Sequence, residues 1–180
     1  MDNVVSKSAG HSFIRRESLT IRLAKRTAKD VVDVATSFKM DGWASSAARE
    51  LDEPDLPMFA IECEGKGIVG QAGLGVRGSR ATATITLFDP RYRGRGIGTL
   101  VMRMLLAYAF LTLGLERIVV RADKTNRAAL RCYHRAGFVI VKDNKDGSVL
   151  MEAQRDSWPE THDASTPKPA DSIGSWVDVV

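Results

Sequence analysis

Ile85-Thr86-Leu87-Phe88-Asp89-Pro90-Arg91-Tyr92-Arg93-Gly94-Arg95-Gly96-Ile97-Gly98 decides how this chain is read. It passes from an apolar strand through a turn of glycine and arginine into a long apolar helix starting near Thr99. Glycines at alternate positions remove the Cβ atoms that would hold a ligand off the backbone. The first N–H groups of the helix and the positive end of its dipole then face the gap. Arg91, Arg93 and Arg95 add forked donors suited to phosphate oxygens. The stretch therefore reads as an anion site fit for a pyrophosphate. Two nucleotide-binding patterns do not match: Gly94-x-Gly96-x-Gly98 lacks a glycine three past Gly96, and no Gly-Lys-Ser/Thr follows.

Working outward, the residues before the loop form an antiparallel meander. Met58–Cys63, Ile68–Val76 and Ala81–Phe88 have strand composition, and Glu64-Gly65-Lys66-Gly67 and Arg77-Gly78-Ser79-Arg80 are hairpin-length links. Ahead of them, Leu19–Leu23 alternates with period two, and Thr27 opens a helical pattern ending near Asp41-Gly42. Trp43–Leu51 reads as a further short helix, followed by an acidic, proline-bearing connection.

Beyond the loop, Thr99–Leu113 is apolar nearly all round, so it is expected to be packed on both sides and closed by Gly114. Glu116–Asp123 then reads as a strand parallel to the one before the loop, since a strand–helix–strand unit favours that crossover. Thr125-Asn126 caps a helix with Ala129, Leu130, Tyr133 and Ala136 on one side and Arg127, Arg131 and Arg135 on the other. Gly137 stops it. Phe138–Val141 and Ser148–Ala153 are the last two strands. Residues 1–17 read as a mobile arm, 18–156 as one domain, and 157–180 as a tail in which Trp158 and Trp176–Val180 stand out as segments able to dock.

Composition bounds the function. The chain has 180 residues, 44% of them hydrophobic, enough for one domain with a real core. The net charge of +4 comes from arginines scattered among 22 carboxylates, which suits small anionic ligands at least as well as nucleic acid. Cys63 and Cys132 lie far apart in regular elements, as reduced cytoplasmic thiols do. The dispersed His11, His134 and His162 show no metal-ligand spacing. No secretory leader and no convincing membrane span are legible, so the expected location is the cytoplasm.

The order of elements and two motifs resemble the GNAT superfamily of acyl-CoA-dependent N-acyltransferases. The family's Arg/Gln-x-x-Gly-x-Gly/Ala is matched by Arg93-Gly94-Arg95-Gly96-Ile97-Gly98, and Asn126 to Phe138 is similar to its Asn-x-x-Ala-x-x-x-Tyr-x-x-x-Gly-Phe. The flavour, with Leu113-Gly114-Leu115-Glu116-Arg117-Ile118, resembles the branch of ribosomal-protein N-terminal, aminoglycoside and polyamine acetyltransferases. The resemblance implies an α/β (α+β) fold: a mixed, mostly antiparallel twisted sheet of about seven strands with about four helices, splayed between strands four and five.

It also implies acetyl-CoA as the acyl donor and a primary amine as acceptor, without a metal. The donor would be held by Leu87, Phe88, Arg93, Gly94, Arg95, Gly96, Ile97, Gly98, Thr99, Asn126 and Tyr133. Leu87 would offer a main-chain N–H to the oxyanion, and Tyr133 would be the general acid at the departing sulfur. Asn126 reads as a helix cap, a donor contact, or both. No carboxylate lies between Thr82 and Phe88, and Asp89 reads as a turn-former, which leaves a water relay as the base. The acidic residues Glu50, Asp52, Glu53 and Asp55 would lie at the acceptor mouth. Two other readings stay open: a catalytically silent acyl-CoA-binding domain, and a basic nucleic-acid binder using the arginine rows. Monomer and homodimer are equally compatible with the sequence.

Overall fold

In the computed structural model, the described residues are 19–24, 57–158 and 177–179. The expected N-terminal arm, the helices read over 27–51 and the acidic stretch from Glu50 to Asp55 lie outside them. Among the described residues, eight strands form one sheet. They are β1 (Leu19–Ala24), β2 (Met58–Cys63), β3 (Gly67–Arg77), β4 (Arg80–Leu87), β5 (Arg117–Asp123), β6 (Val139–Asp143), β7 (Ser148–Gln154) and β8 (Val177–Val179). Their spatial order is β6-β7-β5-β4-β3-β2-β1-β8. Every pairing is antiparallel except β4 with β5. The eighth strand, beyond the seven expected, comes from Val177–Val179 in the stretch read as a tail, and it pairs with β1.

Two α-helices are described, α1 (Ile97–Ala107) and α2 (Arg127–Ala136). α1 starts two residues before the expected Thr99 because Gly96 takes a left-handed conformation (φ 88°) and serves as its N-cap. The regular helix ends at Ala107 rather than Leu113: Tyr108–Thr112 widens into a π turn, closed by the Leu113 N–H donating to the Tyr108 carbonyl at 3.0 Å. Neighbouring Ala109 and Phe110 are both buried there, and the Tyr108 ring meets Phe59 edge-on at 5.5 Å. Gly114 reverses the chain with φ 67°.

The core lies under α1. Val101, Met102, Met104, Leu105 and Leu106 are fully enclosed, against Phe59, Ile61, Ala72 and Leu74 of the meander and Ile118 and Val120 of β5. Burying one such leucine contributes on the order of 2 kcal/mol. Trp158, just past β7, packs on Phe110 (ring centroids 5.6 Å apart) and beside Gly137. Among the described residues, no helix is long and apolar enough to cross a membrane.

Candidate active site

β4 is paired along all of its length with β3, from Arg80↔Arg77 to Leu87↔Gly70. With β5 it pairs only at Arg80↔Arg117, Ala81↔Ile118 and Thr82↔Val119, after which the two strands part. The Phe88 N–H donates to the Val69 carbonyl at 3.0 Å. Alternation along an antiparallel ladder then turns the N–H and C=O of Leu87, Ile85 and Ala83 away from β3 and toward the gap. Main-chain polar groups thus face the opening while the side chains of Leu87 and Ile85 pack on the core.

A cleft of about 370 Å³ continues from this gap between the end of β4, the start of α1 and the flank of α2. Leu87, Arg93, Gly94, Gly96, Gly98, Thr99, Asn126 and Tyr133 line it. Three of the expected residues do not. Phe88 and Ile97 are core side chains, 2% and 0% exposed, and the Phe88 N–H is directed to β3 rather than the gap. Arg95 is exposed and is not among the residues that line the cleft. Arg91 also turns away: its N–H and Nε–H donate to Asp89 at 2.9 and 2.8 Å.

The glycines of the loop serve different ends. Gly94 and Gly96 adopt φ of 70° and 88°, which side chains other than glycine resist. Gly98 has ordinary backbone, but a Cβ there would come within 3.1 Å of the Cys132 Sγ, so it sets the approach of α1 to α2. Among the described residues no side chain caps α1, which leaves the N–H groups of its first turn directed at the cleft. Arg93 donates through Nη2 to the Leu87 carbonyl at 2.9 Å and so ties the loop to the strand.

α2 forms the opposite wall. Asn126 caps it, accepting from the Ala129 N–H at 3.0 Å, and Arg103 of α1 donates to the carbonyl of Arg135 in its last turn at 3.0 Å. Tyr133 is half-buried against Phe138, and burial, with a smaller effect from Cys132, pushes its phenol up to about 12. Burial also pushes the Cys132 thiol up, opposed by a hydrogen bond with Thr99. Asp89 is held below the usual carboxylate range chiefly by its hydrogen bond from the Arg91 side chain, as a turn-former would be.

Six lining residues escaped the reading of the sequence as donor-site residues: Ile85, Ala128, Ala129, Arg131, Cys132 and Arg135. For those on α2 the signal was available, since 128, 131, 132 and 135 share a helix face by the spacing of three and four. Among the described residues, the charged ones of the lining are Arg93, Arg131 and Arg135, all cationic. They favour an anionic guest.

Comparison with known proteins agrees with this architecture. The profile of the acetyltransferase (GNAT) family matches residues 27–138, more than half of the chain. Spermidine N(1)-acetyltransferase of Escherichia coli (strain K12) is 30% identical over 96 residues, which are 52% of this chain and 48% of that protein. The chain thus aligns with about half the length of the curated relatives it matches. Among solved structures, spermidine N-acetyltransferase from Vibrio cholerae in complex with CoA and spermine superposes with a TM-score of 0.59 at 18% identity. The match covers 78% of this chain and 97% of that one. Aminoglycoside acetyltransferase AAC(6')-Ib in complex with coenzyme A and kanamycin gives 0.61 at 20% identity, covering 79% and 98%. At these identities the structures speak for the fold.

Proposed function

The chain belongs to the GNAT acetyltransferase family, and from that premise we propose that it transfers the acetyl group of acetyl-CoA to a primary amine by direct attack in a ternary complex. The observation that carries this reading is the one-sided pairing of β4, with the glycine loop and Tyr133 on the same cleft. Acetyl-CoA supplies the activated thioester. The chain's residues fit such a donor: uncapped amides at the start of α1 suit a pyrophosphate, three arginines match its charge, and β4 main-chain groups can pair with an extended amide-bearing arm.

Leu87 and Tyr133 divide the work. The Leu87 N–H, turned into the gap, is oriented to polarise the thioester carbonyl and to donate to the oxyanion that forms on attack. Tyr133 serves the departing sulfur. With its phenol at about 12 and a thiol near 8.5, full proton transfer would be uphill by about 5 kcal/mol. Tyr133 therefore acts as a neutral hydrogen-bond donor whose bond strengthens as thiolate charge appears, rather than as an acid that gives up its proton first. Asp89, depressed and occupied by Arg91, is a poor base, so water takes the proton from the amine.

The acceptor must lose a proton before it attacks. At pH 7 this costs about 4.6 kcal/mol for an amine of pKa 10.4 and about 1.4 kcal/mol for an α-amine near 8. The names of the relatives favour a small polycationic amine, spermidine or an aminoglycoside, over a protein N-terminus. The amine then needs a deprotonating relay, and the rate should rise with pH toward the amine's own pKa.

Calorimetry with CoA, followed by thiol release from acetyl-CoA with spermidine, kanamycin and a peptide bearing a free α-amine, tests the reading. The expected result is CoA binding and thiol release with at least one amine. Binding without release from any amine would favour the silent acyl-CoA-binding domain, and no heat at millimolar CoA would end both readings.

A further inference from the structure

We propose that Arg93 makes the protein selective for donors that carry a pyrophosphate, by holding the Leu87 carbonyl until phosphate draws its guanidinium away. The inference rests on the donor reading above. Its basis is a contact between the loop and the mouth of the gap, the bond from Arg93 Nη2 to the Leu87 carbonyl at 2.9 Å. The ladder points that oxygen into the opening between β4 and β5, where an extended pantetheine arm would seek an acceptor for its amide N–H. Arg93 and such an arm therefore compete for one oxygen.

The main chain of Arg93 is held, because its own N–H donates to the Pro90 carbonyl at 3.0 Å. Its side chain is exposed and is the part free to turn. Its other attraction lies within the same cleft, where Gly94, Gly96 and Gly98 line the space in front of the α1 N-terminus. A guanidinium bonds more strongly to a phosphate dianion than to a neutral carbonyl, and it can do so through two parallel bonds. A donor with a pyrophosphate thus displaces Arg93 from Leu87 and holds it. A phosphate-free pantetheine thioester has nothing to offer the guanidinium and must break the contact without return. Arg131 and Arg135 lie on α2, across the cleft, and can add to phosphate affinity without touching this exchange.

The test compares dissociation constants of CoA and of phosphate-free pantetheine for the wild-type protein and for Arg93→Met, with Arg93→Gln as a second variant, folding being checked by thermal unfolding. Arg93→Met should weaken CoA by about tenfold through the lost phosphate bonds and tighten pantetheine severalfold through the vacated carbonyl, so that the two ligands move in opposite directions. Arg93→Gln, which can still donate to Leu87 but has no charge, should lose CoA affinity without the gain for pantetheine. Equal losses for both ligands in Arg93→Met, or no change for pantetheine, would overturn the proposal while leaving the donor reading intact. A wild-type protein that binds no CoA would remove the donor reading itself, and this inference with it.

Discussion

The two sides of β4 are built from one stretch of chain and end up with opposite roles. Toward β3 every residue from Arg80 to Leu87 is paired in register, whereas toward β5 the pairing stops after three residues. The first edge is a scaffold: its main-chain groups are satisfied and its glycine at position 70 lets the strands close tightly. The second edge leaves polar backbone directed into an opening, which a folded protein tolerates only where water or a ligand can satisfy it. Half a ladder is thus left open to a ligand while the other half keeps the strand in register.

Breaking the scaffold side should have the largest effect. A Cβ at Gly70 would lie 2.3 Å from the Thr86 carbonyl oxygen, a backbone atom that cannot yield cheaply. Gly70→Ala should destabilise the protein by about 3 kcal/mol, read as a lowered denaturant midpoint. Loss of donor binding should follow that of folding rather than precede it. A stability within error of wild type would show that the paired edge is softer than its register implies.

On the open side, Tyr133→Phe should lower turnover by about a hundredfold with little change in CoA affinity or in stability. Unchanged turnover would discard the role given to the phenol. Because burial raises the phenol to about 12, it remains neutral at ordinary pH, and the pH–rate profile of the wild type should show no limb from Tyr133 below about pH 11. The same shift has a sign in stability: the folded state holds the proton more tightly than the unfolded chain. Tyr133 thus contributes stability below its ordinary value near 10 that is lost as pH rises toward 12.

The smallest change sharpens the comparison on the α2 wall. Asn126→Ala should cost about 1 kcal/mol by removing the cap on the Ala129 N–H. Asn126→Ser keeps a capping hydroxyl. If its stability recovers while CoA affinity remains reduced, Asn126 touches the donor as well as the helix, and recovery of both would leave it a cap alone.

Legibility followed the range of the interactions. Met58–Cys63 was found at its true bounds because its ends are marked by Pro57 and by the Glu64–Gly67 turn. The loop was recognised from its glycines. The direction of each arginine was not, since Arg91 turns to Asp89 and Arg93 to Leu87, and nothing in Arg-x-Arg distinguishes them. The end of α1 was misplaced because apolar periodicity continues past Ala107. The contact of Tyr108 with Phe59 and the burial of both Ala109 and Phe110, residues remote from that sheet contact in sequence, go with the wider turn. Pairing of Val177–Val179 with β1 joins positions at opposite ends of the chain, which local pattern cannot register.

From residues alone came the order of the described strands and helices, the expectation of an anion site at the turn and the pairing of two motifs, because spacing, glycine placement and charge are local properties of a chain. Folding in three dimensions decided where β4 and β5 separate, which backbone atoms of Leu87 face the opening, which arginine reaches them and how far the Tyr133 hydroxyl is removed from water. Those depend on distances between groups that sequence order leaves unrelated until the sheet and α1 have packed together.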